Sequence, residues 1–169
     1  MNHFKILRYI AYTIEILVLF ILQQTPGIIP SIYGILPTLL IPAICCVAMF
    51  ESPLCSLFYG VLVGFLLDYS KNCIFGFHAL ICGLIYFTVS FLVQDVFRNS
   101  FLTALLMSLI TITLVLSLQW LFFYVLKGYS SVGYALYRHY LPAILYTFIP
   151  VPLLYYFNRG FAYLLREKS

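Results

Sequence analysis

The feature that most constrains this chain is a series of long apolar stretches with few charges inside them. A helix needs about 20 mostly apolar residues to cross a hydrocarbon core about 30 Å thick. Six stretches of roughly this kind follow one another along the 169 residues. In chain order they are Leu7–Leu22, Tyr33–Phe50, Pro53–Leu67, Ile74–Val93, Phe101–Leu126 and Tyr140–Phe157. The sequence therefore predicts an all-α integral membrane protein, a compact bundle of about six transmembrane helices.

Composition excludes the main alternatives to a membrane protein. Hydrophobic residues make up 64% of the chain and charged residues 8%, whereas soluble domains are about 45–50% apolar and about 25% charged. A soluble globule of this size exposes too much surface to hide such a sequence, and disorder requires low hydrophobicity with high net charge. Nucleic-acid binding is not expected, because the nine lysines and arginines are scattered rather than clustered.

The linkers between the stretches are short, so residues 1–169 are expected to form a single transmembrane helical domain. The third stretch is short, and the sixth contains Pro150 and Pro152, which kink or end helices. Five helices plus a broken helix is therefore a second possible count. Near the N terminus no small-residue cleavage site follows the first apolar stretch, so we expect an uncleaved first helix.

The positive charges predict the orientation. With six crossings both termini lie on the same side, and placing them in the cytoplasm puts six lysines and arginines inside and three outside. This bias obeys the positive-inside rule. The inside residues are Lys5, Arg8, Arg98, Arg159, Arg166 and Lys168, and the outside residues are Lys71, Lys127 and Arg138.

A small-residue stripe marks the third stretch. Gly60 and Gly64 form a G-x-x-x-G pair, and Asp68 follows four residues later on the same helix face. Such stripes let helices approach closely in lipid. One interpretation is packing inside the bundle with a charge at the helix end. The other is a surface that docks a partner helix or positions Asp68 for function.

The fourth stretch begins near Gly76 and His78. Gly76 and Gly83, two turns apart, are expected to face the same way. Asp68 and His78 are expected to meet across the short connection, where a carboxylate beside an imidazole suggests acid–base chemistry. Because no nucleophile or metal-ligand set accompanies them, a structural hydrogen-bonded pair is favoured over a catalytic one.

Glu15 is the acid that lies well inside an apolar stretch. Ionisable residues within the membrane are costly and usually serve a function, facing protein or water. A structural alternative is that Glu15 reaches the membrane surface or pairs with Arg8, seven residues earlier on a similar face.

Motifs that would indicate an enzyme are missing from the sequence. It has no phosphate-binding loop, no HExxH, no GxSxG and no dinucleotide-binding glycine pattern. Its histidines and cysteines lack metal-ligand spacing. We therefore expect no catalytic residues, no cofactor, no metal and no enzymatic activity.

The order of several short motifs resembles the MreD family of bacterial rod shape-determining membrane proteins. That family shares the length, five or six spans, and the run P-D-L … A-L-x-E-G … G-x-x-x-G-x-L-x-D … G-x-x-A-L. The resemblance covers about residues 33–85, with Thr38 in place of the usual Asp and Ser52 in place of the frequent Gly. The segments that carry it are Gly34–Leu40, Ala48–Pro53, Gly60–Asp68 and Gly76–Leu80.

The resemblance implies a non-enzymatic scaffold of the cell-elongation (rod) complex in the bacterial inner (plasma) membrane. Such a protein helps determine cell shape by organising peptidoglycan synthesis with an MreC-like bitopic membrane protein. Further implied partners are a RodA-type glycosyltransferase, its transpeptidase partner, actin-like MreB and membrane lipids. The matching positions, with structural or partner-contact roles, are Gly60, Gly64, Asp68, Gly76 and Leu80.

A second hypothesis is a substrate-binding subunit of an energy-coupling-factor type vitamin transporter, also a compact six-span protein of similar length. It requires a polar pocket at the outer face, for which Asp68, Lys71, His78 and Arg138 are the candidates. The A-x-x-x-A packing pattern used to dock the energising module is missing from Leu7–Leu22.

Overall fold

The computed structural model describes residues 3–25, 27–31, 34–71, 75–95, 100–126 and 132–164. The regular elements within these ranges are helices, which confirms the predicted all-α bundle. Four of the cations used to predict the orientation lie outside the described residues: Arg98, Lys127, Arg166 and Lys168.

The helices follow the predicted apolar stretches in order. The last turn of α5 continues as a π-helical segment, and a second π-helical segment precedes α7. The elements are α1 His3–Gln24, α2 Leu40–Phe50, α3 Pro53–Lys71, α4 Phe77–Asp95, α5 Phe101–Trp120, the π segment Leu121–Val125, α6 Val132–Ala135, the π segment Leu136–Tyr140, α7 Leu141–Phe148 and α8 Val151–Leu164.

Five helical segments of the described chain are long and apolar enough to cross a membrane, as expected of a multi-pass membrane protein. Contacts between helix ends define two ends of the bundle. The proximal end holds the start of α1 and the end of α2, joined by Arg8 and Glu51. The distal end holds the ends of α1 and α3, where Ser70 donates a hydrogen bond to Gln24.

The prediction of a second helix over Tyr33–Phe50 is wrong about its length. Helix α2 has 11 residues, a rise of about 16 Å, so the helix by itself is too short to cross the hydrocarbon core. The chain still returns from Gln24 at the distal end to Glu51 at the proximal end, with the non-helical segment before α2 completing this crossing. Gly34 has a φ of +76°, and Pro37 disfavours helical backbone at the residue before it. The helix therefore begins only at Leu40.

Helix α2 nevertheless occupies the centre of the bundle. All residues from Leu40 to Met49 are buried, and the helix contacts α1, α3, α4, α5 and α8. The non-helical segment before it is anchored by the buried Thr38, whose N–H donates to Oγ1 of Thr147 on α7 at 3.1 Å. Irregular backbone inside a membrane protein is tolerated where protein covers it and satisfies its polar groups.

Other boundaries also differ from the predicted ones, and two of these differences affect the interpretation of the bundle. Helix α3 continues to Lys71 rather than ending at Leu67, so Asp68 lies in its last turn. The sixth stretch is divided between α7 and α8 at Ile149 and Pro150. Proline has no N–H to donate and its ring obstructs the preceding turn, so the broken helix considered from the sequence is observed.

Candidate functional site

The glycine stripe of α3 packs against α4. A Cβ atom added at Gly64 would fall on backbone atoms of His78 and Ala79, and one added at Gly60 would lie 2.9 Å from the carbonyl oxygen of Cys82. From the other side, Gly83 of α4 faces Val61. The structure therefore supports the first interpretation of the stripe, packing inside the bundle. These glycines form the interface of an α3–α4 hairpin.

Asp68 closes this hairpin at the distal end. Its Oδ2 accepts a hydrogen bond from the Gly76 N–H at 2.8 Å, and its Oδ1 accepts one from the His78 N–H at 3.0 Å. Oδ1 also lies 2.7 Å from Nδ1 of His78, so the predicted meeting of the two side chains is confirmed. The carboxylate thus caps the N terminus of α4, where exposed N–H groups and the helix dipole favour negative charge.

Gly76 has a different role from the one its spacing suggests. It precedes α4 and adopts a φ of +95°, a left-handed conformation that glycine adopts at little cost. The expectation that Gly76 and Gly83 share a helix face is wrong, because Gly76 belongs to the turn. Its conformation directs its N–H to Asp68.

The buried Asp68–His78 pair has the geometry of a structural contact. Asp68 is 2% exposed and His78 is fully buried, with the ring of Phe77 edge-on to the imidazole. In the part of the chain that the structure describes, no group of three or more His, Cys, Asp or Glu residues could hold a metal ion. Acid–base chemistry requires a substrate within hydrogen-bond reach, and burial leaves this pair closed to one.

A second polar cluster joins three helices at the proximal end. Nε of Arg8 lies 2.6 Å from Oε1 of Glu51, and the Arg8 Nη2 donates to Oε2 at 3.1 Å. The backbone carbonyl of Glu51 accepts hydrogen bonds from Ser90 and Gln94 of α4, each at 2.6 Å. Glu51 therefore links the end of α2 to both α1 and α4.

Glu51 is a site residue that the sequence motifs alone do not indicate. It is 3% exposed, and burial raises the pKa of its carboxyl group while the positive charge of Arg8 opposes that rise. The available signal was that Glu51 is one of only five acids in the chain and follows an apolar stretch directly. Because Arg8 binds Glu51, the pairing of Arg8 with Glu15 considered above is not observed.

Glu15 pairs instead with a residue that sequence spacing could not indicate. Nδ2 of Asn158 on α8 donates a hydrogen bond to Oε1 of Glu15 at 2.7 Å. Glu15 is 7% exposed and Asn158 is fully buried. An acid inside α1 is therefore enclosed by protein rather than directed to the membrane surface.

A pocket of about 340 Å³ opens at the distal end. It lies between the segment before α2, the end of α5 and the π segment before α7. Its polar lining comes from Thr38, Gln119, His139 and Tyr140.

Asp68, His78 and Arg138, three of the four residues predicted to form an outer polar pocket, do not come together at the distal pocket. Asp68 and His78 bond to each other inside the hairpin. Arg138 is exposed and lies over the ring of Tyr134 at 5.8 Å, beside another pocket lined by Tyr137, among others. The side chain of Lys71 lies outside the described residues.

Comparison with known proteins does not assign the chain to a family. No family model, no curated protein and no solved structure matches the chain. The similarity to the MreD family therefore rests on the sequence motifs alone.

Proposed function

We propose that this protein is a non-enzymatic membrane scaffold of the bacterial cell-elongation complex. In this proposal it lies in the inner membrane with cytoplasmic termini and organises peptidoglycan synthesis with an MreC-like bitopic protein. The RodA-type glycosyltransferase, its transpeptidase partner and MreB are the further proposed partners. The observation that carries the proposal is the ordered set of motifs over about residues 33–85, and the all-α membrane bundle agrees with it.

The hairpin supports this proposal in a specific way. Four of the five positions that match the family pattern act in the close approach of α3 and α4 or in the cap between them: Gly60, Gly64, Asp68 and Gly76. The fifth, Leu80, is exposed on the outer face of α4. Motif residues that shape a rigid helix pair, rather than line an open cleft, suit a scaffold better than an enzyme. A rigid pair presents one fixed surface, and shape rather than charge then provides specificity.

The same geometry limits where a partner helix can bind. The glycine faces of α3 and α4 are covered by each other, so a partner must contact the outer faces of the hairpin or another helix. Those outer faces carry large exposed side chains, among them Phe58 and Phe65 on α3 and Leu80 and Leu84 on α4. A substitution at Gly64 is therefore expected to weaken partner binding only by disturbing the fold.

Depletion in a rod-shaped host tests the proposal. In a host without a second copy, loss of the protein should give rounded, widened cells, and expression of the wild-type chain should restore rods. From gently solubilised membranes, the tagged protein should co-purify with a bitopic partner. Normal rods after verified depletion would contradict the proposed role in shape determination.

The distal pocket favours a second candidate function, a substrate-binding subunit of a vitamin transporter. Its volume of about 340 Å³ lies in the range of about 300–1,000 Å³ that is typical of small-molecule sites. This candidate predicts that the protein purified from a vitamin-supplied host retains a vitamin at about one-to-one stoichiometry. Purification without a bound vitamin, combined with loss of rod shape on depletion, would reject it in favour of the scaffold.

A further inference from the structure

Glu15 lies near the middle of helix α1. Along α1 it is seven residues beyond Arg8, which corresponds to a rise of about 10 Å from the polar cluster at the proximal end. The residues Ile6–Gln24 of α1 are only 22% buried, the lowest share among the five long segments. The contacts that hold α1 to the bundle are therefore few, and the one between Glu15 and Asn158 is among them.

The hydrogen bonds around this contact leave two buried oxygen atoms unsatisfied. Asn158 uses Nδ2 to donate both to Glu15 Oε1 at 2.7 Å and to the carbonyl oxygen of Leu154 at 3.0 Å. Among the described residues, Oε2 of Glu15 and Oδ1 of Asn158 have no hydrogen-bond partner. Both atoms are acceptors when Glu15 is ionised, and leaving a buried acceptor unpaired is destabilising.

Among the residues that the structure describes, no positively charged side chain forms an ion pair with Glu15. The helices that contact α1 are α2, α3 and α8. The titratable groups facing this region are Tyr12 on α1, Cys46 on α2, Tyr59 on α3 and Tyr155 on α8. Arg159, next to Asn158 on α8, is exposed and lies over the ring of Tyr163 at 5.5 Å. Arg8, the nearby cation on the same helix, is bound to Glu51. Because an unpaired buried charge is very costly, such a group normally becomes neutral.

We propose that Glu15 is a proton-binding site, a neutral carboxylic acid that forms a reciprocal acid–amide pair with Asn158 and fastens α1 to α8. With a proton on Oε2, the carboxylic O–H of Glu15 donates a hydrogen bond to Oδ1 of Asn158, while Nδ2 of Asn158 continues to donate to Oε1. A single proton thus satisfies both unpaired oxygen atoms and removes the buried charge. Loss of that proton restores two unpaired acceptors and adds a negative charge, so the α1–α8 contact weakens as the pH rises.

Infrared spectroscopy of the full chain in detergent tests the protonation state directly. The wild type at neutral pH should show a carbonyl stretching band of a protonated carboxylic acid that is absent in Glu15→Gln. In Asn158→Leu the band should persist but move to higher wavenumber, because the hydrogen bonds from and to the amide are lost. The shift in Asn158→Leu assigns the acid band to the Glu15–Asn158 pair even if Glu15→Gln fails to fold. A wild-type spectrum without a Glu15-dependent acid band at neutral pH would overturn the proposal.

Thermal stability provides an independent measurement. Glutamine can form the same two hydrogen bonds with Asn158 without titrating. The unfolding midpoint of the wild type should fall by several degrees from mildly acidic to mildly alkaline pH, while that of Glu15→Gln should fall by clearly less. The opposite pattern, a Glu15→Gln protein less stable than the wild type together with stabilisation of the wild type by sodium ions, would identify an ionised carboxylate that binds a cation. Both measurements are independent of the proposed scaffold function, which the cell-shape experiment tests separately.

Discussion

Replacing Gly64 by alanine tests the close contact on which the α3–α4 hairpin depends. The added methyl group would fall on backbone atoms of His78 and Ala79. Backbone atoms cannot rotate away as the end of a flexible side chain can, so α4 itself must move. Inserting extra atoms into a packed interior typically costs 1–3 kcal/mol. Because the obstacle is backbone, we expect Gly64→Ala to lower the free energy of unfolding by an amount at the upper end of this range, about 3 kcal/mol.

This cost converts into a measurable shift of the unfolding midpoint. For a protein of this size, each kcal/mol lowers the midpoint by about 2–4 °C, so Gly64→Ala should lower it by roughly 6–12 °C. The measurement is loss of helical circular dichroism on heating in detergent, with membrane insertion checked first. Displacement of α4 should also disturb the cap formed by Asp68, because His78 belongs to both contacts.

Gly160→Ala is the matched control. Gly160 lies inside α8, and an added Cβ atom there meets no other atom within 4 Å. Alanine is favoured over glycine in a helix by about 1 kcal/mol, so the midpoint should stay unchanged or rise slightly. If Gly64→Ala and Gly160→Ala have the same midpoint, the glycine stripe does not form the hairpin interface and the reasoning fails.

Two further substitutions test the polar clusters at the two ends of the bundle. Asp68→Asn presents only one acceptor oxygen where the carboxylate accepts from Gly76 and His78, so it should cost about 1.5–3 kcal/mol. Amide hydrogen exchange at both residues should become faster, and unchanged exchange would contradict the cap. Arg8→Leu should cost about 3–5 kcal/mol, because it removes the cation that pairs with the buried Glu51 carboxylate. Adding Glu51→Leu should recover part of that loss in thermal unfolding; a double variant that is less stable than Arg8→Leu would argue against the ion pair.

The sequence by itself determined the all-α membrane class and the positions of most helices. These properties depend on the length of apolar stretches and on turn residues, which are local. The Asp68–His78 contact was also predictable, because only a short connection separates the two helix ends and the chain confines them to one region. The break at Pro150 followed from the chemistry of proline.

Only the tertiary structure decided which helix faces met. Lipid and protein interior are equally apolar, so hydrophobic periodicity does not show which side of a membrane helix is buried. The partner of the Gly60–Gly64 stripe, the pairing of Arg8 with Glu51 and that of Glu15 with Asn158 depend on helix rotation and on neighbours far apart in the chain. The short central α2 is a tertiary result as well, because its irregular approach is stable only where other helices cover it.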